Sequence, residues 1–166
     1  RSSNVTGVQT CALPIYYECQ IDTEDICHND FMVMCATVLS HICQRFAKGE
    51  KPHTALQIKD ATDIPVRITV EILYKLMQVD LVSENVSPTS DEVTYTPTYD
   101  TTNITVGEMI ARLESAPESS KLGLLGFSPQ RIWNHDIYNK VGSVRVAYLN
   151  ELKSINIKEL ISNVEE

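Results

Sequence analysis

No long hydrophobic run occurs in this sequence. The longest, FMVMCATVL, spans Phe31 to Leu39, against the ~20 residues that a membrane-crossing helix needs. Gly-rich phosphate loops, HExxH and GxSxG are also missing, which removes the usual signatures of nucleotide binding, zinc proteolysis and serine hydrolysis. The four histidines, His28, His41, His53 and His135, are scattered, with no carboxylate at a telling spacing. Asp60 and Asp63 near His53 read better as the end of a capped helix and its turn than as an acid–base set. No CxxC is present. The five cysteines, Cys11, Cys19, Cys27, Cys35 and Cys43, stand eight residues apart. Eight residues advance a helix by ~800°, so successive thiols drift around the axis rather than share a face. Their number is odd, and Cys27–His28 and His41 with Cys43 do not form the paired short spacings of a zinc site. The expectation is reduced, mostly buried thiols, with no metal, no cofactor and no catalytic residue.

What is there is ordinary for a globular chain. The 166 residues are 43% apolar and 22% charged, enough for one domain that buries roughly two-thirds of its unfolded surface. The net charge is −8, which opposes a phosphate polyanion unless a local basic patch overrides it. No methionine precedes Met32. The opening RSSNVTGVQTCALPI has neither a 2-residue nor a 3.6-residue rhythm.

From Cys27 to Lys51 the spacing predicts a long helix. Asn29 or Asp30 would cap it, Phe31, Cys35, Val38, Leu39, Ile42 and Phe46 would form its buried stripe, and Gly49 would end it in the left-handed conformation. Thr54 with Gln57 is a capping box that opens a short helix over 55–61. Pro65 fits the first turn of a third helix, with Val66, Val70, Leu73 and Met77 as its inward face. Short helix, turn, longer helix is the helix-turn-helix pattern. LVSENV and VTYTPTY, in which Val93 and Tyr95 alternate with Thr94 and Thr96, predict a hairpin. A fourth helix starts at a second capping box, Thr105 with Glu108, and buries Val106, Met109, Ile110 and Leu113. After a linker, residues 129–153 predict a long amphipathic helix carrying Ile132, Trp133, Tyr138, Val141, Val144 and Tyr148. Gly142 inside it costs about 1 kcal/mol against alanine. The fold class expected is mainly α with a small β-hairpin: a winged helix followed by a long C-terminal helix. The divisions expected are 1–15, 16–116 for the winged helix, 117–128 for the linker, and 129–166 for the C-terminal helical segment.

Several separated segments resemble one family. Arg45-Phe46, Gly49, Pro52, Thr54-Ala55, then Ile64-Pro65, Arg67, Thr69 and Ile72-Leu73-Tyr74 are similar, in order, to the C-terminal tail of the YihY/BrkB family of bacterial inner-membrane proteins, in the form found in Bacteroides-like bacteria. ITVGEMIARLE and INIKELI are similar to it too, so the resemblance runs from Tyr16 to the end. It implies a cytoplasmic tail on the inner face of the membrane, with the parent's own membrane domain, typically six helices upstream, as its partner. The family's old label, ribonuclease BN, implies tRNA processing, and a transport role has also been suggested for it. Residues 1–15 resemble translated sequencing-adapter read-through, and the expectation is that they are an artefact making few contacts with the rest.

The polar stripe of the third helix is Arg67, Glu71, Lys75 and Gln78, which puts Glu71 within ion-pair reach of both cations. A recognition helix would instead aim its donors at phosphates and base edges. From Ser83 to Glu118 seven acids face Arg112 alone, and the wing tip carries Asp91 and Glu92. The sequence therefore favours a non-catalytic regulatory or interaction domain, with nucleic acid set aside as a partner. Its interaction face would be Arg67, Glu71, Lys75 and Gln78, together with Trp133 and Tyr148 on the C-terminal helix, where a protein partner or a second copy would dock. The alternatives are a DNA-binding winged-helix transcriptional regulator and a ribonuclease BN-like enzyme.

Overall fold

The first helix, α1 (His28–Ala47), is the element on which the rest is assembled. The structure is a computed structural model, and it describes residues 26–86, 92–101, 103–115 and 135–160. The expectations for residues 1–15, the wing tip at 87–91, the linker at 117–128 and Trp133 lie outside the described residues. Cys27 is the N-cap of α1, with no side-chain cap. The helix thus starts before Asn29 and Asp30, which the sequence reading took as caps, and Asp30 instead lies in the first turn, where a carboxylate favours the helix dipole. Phe31, Cys35, Val38, Leu39 and Ile42 are buried as expected. Phe46 is not: it is 52% exposed. It lies eleven residues on from Cys35, on the same face, but at the last turn, where a small hollow with Pro52, His53 and Tyr95 covers only part of it. Gly49 has φ +69° and its N–H donates to the Phe46 carbonyl, ending the helix as the sequence predicts.

The capping box at α2 (Ala55–Thr62) is complete. The Gln57 N–H donates to Thr54 Oγ1 at 3.3 Å and the Thr54 N–H donates to Gln57 Oε1 at 3.0 Å, an arrangement worth about 1 kcal/mol. Asp63, with φ 56°, turns the chain into α3 (Val66–Gln78), whose N-cap is Pro65. Thr69 is fully buried, and its hydroxyl donates to the carbonyls of Ile64 and Pro65 at 3.1 and 3.2 Å, closing the tight turn from inside. The inward face of α3 differs from the predicted one. Ile68, Thr69, Ile72, Leu73 and Leu76 are buried, Val66 and Met77 are half-buried, and Val70 is 49% exposed. Apolar residues occupy so much of α3 that more than one i, i+3, i+4 series fits the sequence. Packing against α1 and α2 selects the series containing Ile72.

Strands β1 (Val82–Val86) and β2 (Val93–Pro97) pair antiparallel with Glu84 opposite Tyr95. Residues 93–96 are all half-buried, so the predicted alternation is blurred. Strand β2 leans on α1, and Thr96 Oγ1 is held by Ser83 and Asn85 at 3.2 and 2.8 Å. Outside the ladder, the Tyr95 N–H donates to the His53 carbonyl at 3.1 Å.

Only half of the second capping box forms. At the start of α4 (Val106–Ser115) the Glu108 N–H donates to Thr105 Oγ1 at 3.2 Å. The Glu108 carboxylate turns instead to Arg112, four residues on, at 2.6 Å. The C-terminal helix α5 (His135–Leu152) packs on α4. Contact is close because Gly107 has no side chain: a Cβ there would stand 2.6 Å from the Leu149 carbonyl oxygen and 2.8 Å from the Lys153 nitrogen. After α5 the chain turns back. The Val106 N–H donates to the Ile155 carbonyl and the Ile157 N–H to the Ile104 carbonyl, both at 3.0 Å. A 3-10 turn, Ile157–Glu159, capped by Asn156, sets Ile157 fully buried beneath α1. The core is therefore one cluster around Leu39, Ile72, Leu76, Met109 and Ile157, each buried aliphatic side chain contributing about 1.5–3 kcal/mol. The architecture is the expected winged helix with a long C-terminal helix. Among the described residues no helix is long and apolar enough to cross a membrane.

Candidate nucleic-acid interface

The face that α3 turns away from the core carries Arg67, Val70, Tyr74 and Gln78, all exposed, with Glu71 half-buried beside them. They share a face because 67, 70, 71, 74 and 78 recur at three- and four-residue steps. Lys75 does not belong to it. Its ammonium lies 3.8 Å from Glu71 and 5.5 Å from the centre of the Phe31 ring, turned back toward α1. The structure thus brings Glu71 and Lys75 together, as the sequence suggested, and turns Lys75 toward Phe31 at the edge of this face, its side chain still 44% exposed. Two apolar side chains missed from the sequence, Val70 and Tyr74 (49% and 52% exposed), join Arg67 and Gln78. The helical repeat that grouped Arg67 with Gln78 could have found them.

A second group surrounds the loop between α1 and α2. Arg45, Lys51, His53, Thr54 and Gln57 line one open hollow together with Glu92 and Thr94 at the foot of the wing. Arg45 is fixed: its guanidinium donates to the Lys51 carbonyl at 2.9 and 3.2 Å and pairs with Glu50 at 2.6 Å. Lys48 and Lys51 are exposed. Residues 45–78, the loop plus the helix-turn-helix, hold six Lys and Arg against four Asp and Glu, a net +2, while the whole chain is −8. The other residues therefore carry −10. The charge is segregated: the excess of cations comes from Arg45, Lys48 and Lys51 against Glu50, at the end of α1 and in the loop leading into the helix-turn-helix, which is itself balanced.

Tyr148 stands on α5, 52% exposed, in a row with Ile137, Val141 and Val144, all exposed. The steps of four, three and four residues are those of a helix-pairing seam. Elsewhere the chemistry is quiet. Among the described residues no group of three or more His, Cys, Asp or Glu side chains converges as for a metal ion. Burial pushes the Cys35 and Cys43 thiols up to about 12, with nearby Lys75 and Lys158 offsetting only part of it, so neither is a ready nucleophile.

No family model matches the chain and no curated protein matches it in sequence. Solved structures do share its fold. IscR of T. potens is 15% identical, with 87% of this chain and 92% of that one covered and a TM-score of 0.56. CymR (YrzC), the global cysteine regulator of B. subtilis, is 15% identical over 85% of this chain and 98% of that one, with a TM-score of 0.56. A candidate transcriptional regulator from Listeria innocua is 13% identical over 82% and 87%, with a TM-score of 0.54. None is named as an enzyme. These likenesses correct the functional expectation drawn from the sequence. The expectation of an interaction tail cut from a YihY/BrkB-type membrane protein, with the parent's membrane domain as partner and nucleic acid set aside, is overturned: the structures that share the fold are named as regulators. The net charge of −8 on which that expectation leaned comes from residues outside 45–78.

Proposed function

We propose that this chain is a DNA-binding winged-helix transcriptional regulator that lays α3 in the major groove. The observation that carries the reading is the segregation of charge: a net +2 over residues 45–78 in a chain of −8, supplied by Arg45, Lys48 and Lys51 at the end of α1 and in the loop leading into the helix-turn-helix, the unit that this fold presents to a duplex. Phosphate contacts come from Lys48 and Lys51 beside the N-terminus of α2, and set the register. Arg67 and Gln78 supply donors for base edges, and Val70 and Tyr74 supply apolar contact of the kind thymine methyls accept. The acidic remainder repels the backbone and so disfavours other orientations of approach. The exposed row Ile137, Val141, Val144 and Tyr148 is where a second copy would pair, which would place two α3 helices on a two-fold site.

Fluorescence anisotropy with a labelled duplex, at two salt concentrations, tests this. The intact chain is expected to bind random duplex with a dissociation constant of roughly 10⁻⁴–10⁻⁶ M, weakening steeply with salt. Lys51→Ala, which removes a phosphate contact, should lower the salt slope by about 1, and Arg67→Ala, which removes a base-edge donor, should weaken binding to a preferred sequence by about 1–3 kcal/mol. Lys140→Ala, which only breaks an exposed pair with Asp136 on α5, should change nothing. No binding at low salt, or binding indifferent to a combined Lys51→Glu and Arg67→Glu change, would sink the reading.

A further inference from the structure

His53 is a joint between three elements. Its ring meets His41 of α1, with His41 Nε2 and His53 Nδ1 3.1 Å apart and ring centres 5.1 Å apart. Its backbone carbonyl accepts the Tyr95 N–H of β2 at 3.1 Å. Its chain neighbour Thr54 caps α2. A hydrogen bond between two imidazoles needs one N–H donor and one bare acceptor nitrogen. When both rings are protonated all four nitrogens are donors, and two like charges face each other across the contact.

The surroundings favour neutral rings. On α1, Arg45 stands close enough to disfavour a charge on either histidine, and Glu50 in the following loop, paired with Arg45, opposes that effect. Strand β2 contributes Tyr95, whose phenol burial pushes upward, and Thr96 to the hollow behind the pair; Glu92 and Thr94 line the hollow on which His53 opens. Burial first, then His53 and Arg45, hold His41 down at about 4, against an ordinary 6.5. Burial and Arg45 lower His53 as well.

We propose that His41 and His53 form a proton-operated latch between α1 and the wing, held while at least one imidazole is neutral and released when both rings are protonated, so that acidification loosens the wing side of the nucleic-acid interface. The regulatory half rests on the DNA-binding reading; the latch itself does not. The direction follows from linkage. A histidine lowered in the closed state binds its proton more readily once open, so closure is complete above about 6.5 and is lost as pH falls toward about 4.

Amide exchange and imidazole titration by NMR on the full chain test the latch without DNA. The protection factor of the Tyr95 amide should fall by about tenfold or more between pH 7 and pH 4.5, and both rings should titrate below 6.5. His41→Gln and His53→Gln, whose amides neither titrate nor repel, should leave Tyr95 protection nearly independent of pH. Equal protection at both pH values in the unaltered chain, or both rings titrating near 6.5, overturns the latch. Duplex affinity at pH 7 and pH 5 then tests the coupling. It should weaken on acidification in the unaltered chain and hold in His41→Gln. A latch that opens in a DNA-binding chain whose affinity does not move overturns the regulation. A latch that opens in a chain with no affinity at pH 7 overturns the interface reading and leaves the latch standing.

Discussion

A Gly107→Val chain is expected to lose about 3 kcal/mol or more of stability, because its C-terminal helix no longer fits against α4. The atoms a Cβ would meet, the Leu149 oxygen at 2.6 Å, the Lys153 nitrogen at 2.8 Å and the Leu152 carbonyl carbon at 3.0 Å, are all backbone. No rotamer change clears them, so α5 must move as a body. Movement there breaks the paired hydrogen bonds of Val106 with Ile155 and of Ile157 with Ile104, and pulls Ile157 from its buried site. Urea unfolding followed by circular dichroism gives the value. A smaller loss in Gly107→Ala, which adds the clash but less bulk, is part of the expectation. A Gly107→Val chain with an unaltered midpoint would mean that α5 does not pack here.

Ile72→Ala is the second large effect, expected at about 2–5 kcal/mol from lost burial and the cavity left behind. Ile72 is fully buried on α3, which packs against α1 and α2, two residues from Val70, which faces out. The pair therefore reports the rotation of α3 about its axis. Val70→Ala should stay within about 0.5 kcal/mol yet weaken duplex binding, while Ile72→Ala does the reverse at temperatures where it remains folded. A large loss from Val70→Ala and a small one from Ile72→Ala would place the helix in the rotation that buries Val66, Val70, Leu73 and Met77.

Local chemistry was legible in the sequence, and rotation and long-range pairing were not. Thr54 with Gln57 and Gly49 act through their own few residues, so their spacing alone reveals them. The stripe of α1 was clear because polar residues interrupt it on the other side. α3 was not, because apolar side chains surround it, and only its neighbours decide which ones are covered. Glu108 was assigned to Thr105, yet Arg112 one turn on offers it an ion pair as well as a hydrogen bond. His41 and His53, twelve residues apart, read as scattered because the Gly49 turn that brings them together leaves no trace in either residue's surroundings. The candidate interface was half found: Arg67 and Gln78 stood in the polar stripe, but Val70 was assigned to the core. Summed charge concealed the small excess of cations at the end of α1 and in the loop that leads into the helix-turn-helix, Arg45, Lys48 and Lys51.

The two deep thiols of α1 make the chain its own clock. Cys35 and Cys43 are fully covered and hold their protons to about 12, so a thiol reagent at neutral pH modifies them only through molecules that have opened. Cys27, exposed one residue before the same helix, reacts without waiting and calibrates the reagent. With Cys11 and Cys19 changed to serine, the ratio of slow to fast labelling reads out how often the core comes apart. The two slow positions stand about 12 Å apart along the axis. Matching rates would show that this stretch of α1 opens as a unit, and unequal rates would show which end of it lets go first.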